Sequence, residues 1–161
     1  MKLYFYGKCF ETLNDRPGKG VISIMLPDLG VIYRTQFEGN QRECEYTAAI
    51  MAVKFVEKNK EMLSKQKIQL LSDASQLIEE VNHNAPVSAR DKVYRDTVLM
   101  YLRKFEMTLS WIPRAENRAA GLVPDLPALK LKLDLDFDFG QKGNDSALGS
   151  KGGESDMFRT D

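Results

Sequence analysis

The chain has 161 residues, 43% hydrophobic and 29% charged, and its 23 basic side chains are balanced by 23 acidic ones. These values fit one globular domain with some tail to spare, and they exclude a wholly disordered chain, a coiled coil and a disulfide scaffold. No apolar run nears the ~20 residues of a membrane span. The opening Met1–Lys8 is too short and polar for a secretory leader, so a cytoplasmic, reducing setting and a monomer are expected. Cys9 and Cys44 give neither zinc spacing nor a disulfide framework and read as small buried hydrophobes.

The neutral total hides an asymmetry. Residues 1–133 carry 20 Lys/Arg against 16 Asp/Glu, and residues 134–161 carry 3 against 7. A mildly basic body with an acidic tail suits a polyanionic partner.

In chain order, the first forty residues read as strands. Lys2–Cys9 is rich in Leu, Tyr and Phe, and the runs Val21–Leu26 and Val31–Phe37 follow it. Pro27-Asp28-Leu29-Gly30 joins the last two as a turn: fixed φ, a side-chain cap, then free φ. From Glu43 the period changes. Cys44, Ala48, Met51, Ala52 and Phe55 recur at three- and four-residue steps, which predicts a helix to about Asn59. Lys67–Leu71 reads as a short buried strand, and Ser72 or Asp73 can cap a helix carried by Leu77, Ile78 and Val81. A further helix begins at Ser88, with Val93, Val98, Leu102 and Phe105 on its inner side. Met107–Ile112 is the fifth strand, with Trp111 expected in the core. A short helix, Glu116–Leu122, ends at Pro124. His83, the only histidine, reads as a surface residue.

The order βββαβααβα implies an α/β fold, a five-stranded mixed sheet with an antiparallel meander followed by parallel strands, flanked by helices. Beyond it, Leu131–Phe139 alternates apolar and charged residues with a period of two. From residue 140 onward Gly, Ser, Asn and charges dominate, which predicts disorder. The expected division is a domain over 1–126, an alternating extension over 127–139 and a disordered acidic tail over 140–161.

Four stretches, in order, resemble type 1 ribonuclease H. They are Tyr6-Gly7 leading to Pro17-Gly18-Lys19-Gly20-Val21-Ile22; Glu45-Tyr46-Thr47-Ala48-Ala49-Ile50; Leu71-Ser72-Asp73-Ala74-Ser75-Gln76-Leu77-Ile78; and Trp111-Ile112-Pro113-Arg114-Ala115-Glu116-Asn117-Arg118-Ala119-Ala120. The resemblance implies a ribonuclease H-like fold over roughly residues 2–123. It also implies a nuclease that cleaves the RNA strand of an RNA–DNA hybrid with two Mg²⁺ ions held by four carboxylates. Oxygen-rich, negative ligands are needed because two cations side by side repel strongly. Glu45 and Asp73 match two of those carboxylates. Tyr6 stands where the bridging one belongs, and Gly121 where the fourth belongs. A neutral phenol is a poor Mg²⁺ ligand at pH 7. The sequence therefore predicts a pseudoenzyme: Glu45 and Asp73 as a remnant acid pair holding no cofactor, or one weakly bound Mg²⁺ or Mn²⁺. Glu11, Asp15 and Asp125 are candidate substitute acids.

The resemblance further implies nucleic-acid contacts at Asn40, Gln41, Ser75, Gln76, Arg114, Asn117 and Arg118, with Arg114 and Arg118 one helical turn apart on one face. Basic residues also gather at Arg90, Lys92, Arg95, Arg103 and Lys104, either as phosphate contacts or as a solvated helix face. The expected partner is a hybrid or duplex nucleic acid. Three readings stand for the 131–139 segment: an added strand at a sheet edge, its own or a protein partner's; competition with nucleic acid through Asp134, Asp136 and Asp138; or a weakly structured extension. Two alternatives stand beside this reading: an active Mg²⁺/Mn²⁺-dependent hybrid endonuclease with a rearranged acid cluster, and a protein-interaction module that has kept only the fold.

Overall fold

A computed structural model describes residues 1–10 and 18–121. Glu11, Asp15, Asp125, the 127–139 extension and the 140–161 tail lie outside the described residues.

Five strands form one mixed sheet in the order β3-β2-β1-β4-β5, with β1 Lys2–Cys9, β2 Gly18–Leu26, β3 Val31–Gly39, β4 Gln69–Ser72 and β5 Thr108–Trp111. The pairs β1–β2 and β2–β3 are antiparallel, and β1–β4 and β4–β5 are parallel. This is the expected mixed sheet. The turn after β2 is one 3₁₀ turn, Pro27–Leu29, closed by the Gly30 amide donating to the Pro27 carbonyl at 3.1 Å. Gly30 has φ 62°, a conformation that costs glycine nothing and other residues dearly.

β1 is the central strand and is used on both faces. Leu3 and Phe5 are fully buried on one, and Tyr4 and Tyr6 point to the other, each 8% exposed. Helix α1, Gln41–Lys58, packs against β1 and β2. It lies so close at Gly7 that a Cβ there would stand 2.2 Å from the Cys44 carbonyl oxygen. That contact sets the first turns of α1 directly on β1. Asn40 caps the helix in a capping box with Glu43.

The expected stripe of α1 is buried, and so are Tyr46, Ala49, Ile50, Val53 and Val56, because α4, Ala89–Lys104, covers the side away from the sheet. The remaining helices are α2, Lys60–Leu63, a single turn that periodicity did not predict, and α3, Ser75–Asn82. Among the described residues no helix is long and apolar enough to cross a membrane.

Several expectations are corrected. Of the helix expected over 116–122, the described part to Gly121 is a 3₁₀ turn, Arg114–Glu116, followed by hydrogen-bonded turns. The reason is local. Asn117 is extended (φ −75°, ψ 99°), and its Oδ1 accepts the Ala119 amide at 3.1 Å, a side-chain bond that competes with the helical ladder. Neither Ser72 nor Asp73 caps α3, whose N-cap is Ala74; Ser72 Oγ accepts the Ala74 amide instead. Val93 is exposed, because the inner line of α4 runs through Tyr94, Val98, Tyr101 and Leu102. Trp111 is 53% exposed at the end of β5, which is an edge strand among the described residues. Of the cysteines, Cys44 is buried with its thiol pushed up to about 12 by burial, and Cys9 is half-buried; neither is in a disulfide. His83 is on the surface, 2.8 Å from Glu79.

Candidate functional site

Where β4 ends beside the middle of β1, the chain leaves a cleft of about 240 Å³. The first turns of α1 bring Gln41 and Glu45 to it, the end of β4 brings Ser72 and Asp73, and β1 contributes Tyr6, Gly7 and Lys8. Arg114 closes it from the segment after β5. Residues far apart in sequence thus meet at one sheet end, as ligand sites in open α/β sheets do.

Each acid is held by neighbours. Glu45 accepts from Gln41 Nε2 at 2.9 Å and from Arg42 Nη1 at 3.5 Å. Gln41 is fixed in turn to β1, donating to the Gly7 carbonyl at 3.1 Å and accepting the Cys9 amide at 2.9 Å. Burial raises the Glu45 carboxyl above its ordinary range; Gln41 and Arg42 oppose the shift, while Asp73 and Glu80 add to it. Asp73 Oδ1 accepts Asn117 Nδ2 at 2.6 Å, and the same amide donates to the Phe5 carbonyl at 3.0 Å. Asn117 therefore ties Asp73 to β1. At 2% exposure it cannot reach a nucleic-acid groove, which corrects its expected role as a surface contact.

Tyr6 lies under Arg114. The guanidinium sits 5.2 Å from the ring centre, and its Nη2 donates to the phenol oxygen at 2.5 Å. Burial pushes the phenol above its ordinary value against the opposing pull of Arg114, so Tyr6 is neutral at physiological pH. One step along the same strand face, Arg118 lies 5.9 Å from the Tyr4 ring centre. Arg114 and Arg118 do share a face, but the alternation of β1 puts them there, since no helix joins them. Ser23 Oγ donates to the Ala119 carbonyl at 2.8 Å and fastens the segment to the sheet.

Of the other expected contacts, Asn40 is an exposed helix cap, and Ser75 and Gln76 are exposed on the first turn of α3. Gly121 ends the described segment, exposed, with room for a side chain. Sequence reasoning missed Glu80, which is 3% exposed and accepts from Tyr46 Oη at 2.5 Å, from Gln76 Nε2 at 3.2 Å and from Arg42. Its signal was one of phase: position 80 lies between Leu77 and Val81 on the apolar stripe of α3, where a carboxylate needs buried partners.

A pair of divalent ions does not fit these residues. Among the described residues no group of three or more His, Cys, Asp or Glu could hold a metal. Tyr6 offers a neutral oxygen already bonded to a cation, and three of the four carboxylate oxygens of Glu45 and Asp73 accept side-chain hydrogen bonds. Arg114 and Arg42 bring positive charge where a two-metal centre requires its opposite.

The sheet order and directions, with helices packed on the sheet, define a ribonuclease H-like fold. Solved structures bear this out. The ribonuclease H1 of the halophilic archaeon Halobacterium salinarum NRC-1 is 20% identical, with a TM-score of 0.57, over 73% of this chain and 89% of that one. A ribonuclease H1 isolated from compost by a metagenomic approach is 16% identical, with a TM-score of 0.60, over 72% and 86%. The N-terminal ribonuclease H domain of a Mycobacterium tuberculosis protein is 16% identical, with a TM-score of 0.56, over 72% and 84%. The compost enzyme has also been solved in complex with an RNA/DNA hybrid. No family model and no curated protein matches the sequence.

Proposed function

We propose that this protein is a ribonuclease H-like domain that binds nucleic acid, as RNA–DNA hybrid or duplex, and cleaves it weakly or not at all. The observation that carries the reading is Tyr6 held beneath Arg114, at the place where the resemblance puts the metal-bridging carboxylate. A neutral phenol with a guanidinium on it cannot balance two adjacent divalent ions. Losing that balance costs at least several kcal/mol of transition-state stabilisation, or upward of about a thousandfold in rate. Glu45 and Asp73 then stand as a remnant acid pair. The binding residues are Arg114 and Arg118, with the exposed Asn40, Ser75 and Gln76 around the cleft and Gln41 at its wall. Further support comes from the fold shared with a structure solved on an RNA/DNA hybrid.

The test is incubation of the purified protein with labelled hybrid in Mg²⁺ and in Mn²⁺. The reading expects retention of the hybrid at low salt and no product above background. Cleavage abolished by Asp73→Asn would show a working nuclease with a rearranged acid cluster. In the opposite direction, the double substitution Tyr6→Asp with Gly121→Asp restores both missing acids, and metal-dependent cleavage is expected to appear. Among the described residues Gly121 has space for it, the nearest atom to a new Cβ being the Arg118 carbonyl oxygen at 3.8 Å.

A further inference from the structure

The face of the sheet opposite α1 carries an arrangement that extends beyond the cleft. Tyr4 and Tyr6 point to that face from β1, and each lies under an arginine: Arg118 at 5.9 Å and Arg114 at 5.2 Å from the ring centres. Both arginines are exposed, and neither forms an ion pair with a described carboxylate. Arg34 of β3 lies in the same row, since Tyr6 is in register with Ser23 and Ser23 with Arg34. Its positive charge reaches the Tyr6 phenol.

A guanidinium beside an aromatic ring keeps N–H donors for the two-pronged fork that suits a phosphate; Arg114 gives one Nη2 proton to the Tyr6 phenol and keeps its remaining N–H groups for an anion. The ring also fixes the side chain beforehand, so little rotamer freedom is lost when an anion arrives. Two residues along a strand span about 6.7 Å. That is on the order of the separation of successive phosphates in one nucleic-acid strand.

We infer that Arg114 and Arg118, lying over Tyr6 and Tyr4, form a clamp for two neighbouring phosphates of one strand, and that the clamp works without a metal ion. The ligand is the phosphodiester backbone itself, so RNA and DNA strands are held alike and no base is read. The inference rests on the nucleic-acid reading given above and adds to it the contact and its independence of metal. It separates this chain from a metal-built site, in which cations must bridge phosphate and carboxylates. Here the positive charge is part of the polypeptide.

The experiment uses the full chain and one labelled sequence prepared as RNA–DNA hybrid, DNA duplex and RNA duplex, titrated over a salt series in Mg²⁺ and in EDTA. Wild-type affinity in EDTA is expected to equal or exceed that in Mg²⁺ for all three. Arg114→Gln and Arg118→Gln each lower the slope of log affinity against log salt by about one, and the pair by about two, equally for the three ligands. Arg114→Lys keeps the slope and loses affinity, because charge survives and the fork does not. An unchanged slope in the double variant, or wild-type binding that requires Mg²⁺, would overturn the clamp and leave the nucleic-acid reading standing. Wild-type protein that retains none of the three at low salt would overturn both.

Discussion

The arginines beside β1 and the basic residues of α4 carry the same charge and are held in different ways. On and around α4, Arg90 pairs with Glu43, Lys92 with Asp96 at 2.6 Å and Lys104 with Glu57 at 2.8 Å, while Arg95 is largely buried against Asp96 and the Ala85 carbonyl. Most of that charge is neutralised where it stands, so a cluster that reads as basic in sequence projects little field. Arg114 and Arg118 rest on tyrosine rings, which orient a guanidinium without cancelling its charge. What a basic residue offers a polyanion therefore depends on its partner more than on its position in a charge count.

The strongest way to break this contrast is to disturb the strand beneath the arginines. In Gly7→Ala the new Cβ meets the Cys44 backbone, which has no side-chain freedom with which to yield, so α1 must shift off β1. The expected cost is about 3 kcal/mol or more of folding stability, read from the denaturant midpoint. Asn117→Ala attacks the other anchor. It strips donors from Asp73 and from the Phe5 carbonyl and releases the turn between the two arginines. A loss of about 2–3 kcal/mol is expected. Nucleic-acid affinity should fall with it even though neither arginine has been touched.

Much of this was legible in the sequence. Runs of strand-favouring residues and a Pro-Asp-Leu-Gly turn placed the meander, and helical spacing placed α1, α3 and α4 to within a few residues. Glu45 and Asp73 were found because each lies at an element end, where motif and fold coincide. The arginine–tyrosine contacts were not legible, since they depend on residues 114–118 crossing back over β1 after more than a hundred intervening residues. Asn117 hid the same way. Its amide reads as a surface contact until the path of the chain buries it between Phe5 and Asp73. Trp111 was misplaced because apolar character was read without knowing that β5 is an edge. Glu80 was passed over because its partners, Arg42 and Tyr46, sit on another helix.

A smaller effect sharpens the comparison at the cleft. Burial holds the Glu45 carboxyl above its ordinary range, so its neutral form is favoured in the folded state. The sign follows: folding is assisted below the unfolded-state pKa, and that assistance is lost as pH rises through the folded value. Above the folded value the ionised Glu45 is thus a burden on stability. Glu45→Gln, which can still accept from Gln41, is expected to raise the denaturant midpoint at pH 7. The gain should shrink as pH falls into the range where the wild-type carboxyl is protonated. Midpoints measured across that range check it; a variant equally or less stable at pH 7 would mean that Gln41 and Arg42 fully compensate the burial.

The smallest effects belong to α4. Lys104 holds the Glu57 carboxyl below its ordinary range, so their pair contributes at neutral pH and fades as acid protonates Glu57. Both groups are largely solvated, and Lys104→Gln should cost only about 0.5 kcal/mol at pH 7. Its effect on nucleic-acid affinity is expected to stay within about twofold with an unchanged salt slope, because a cation already neutralised by a carboxylate releases few counterions from a phosphate backbone. Arg90→Gln should behave alike, Glu43 being its partner. Hybrid-binding titrations of these two variants beside Arg114→Gln set the regions against each other directly. Equal losses of slope at α4 and at β1 would mean that nucleic acid displaces the α4 ion pairs, and that partner chemistry does not divide the surface in two.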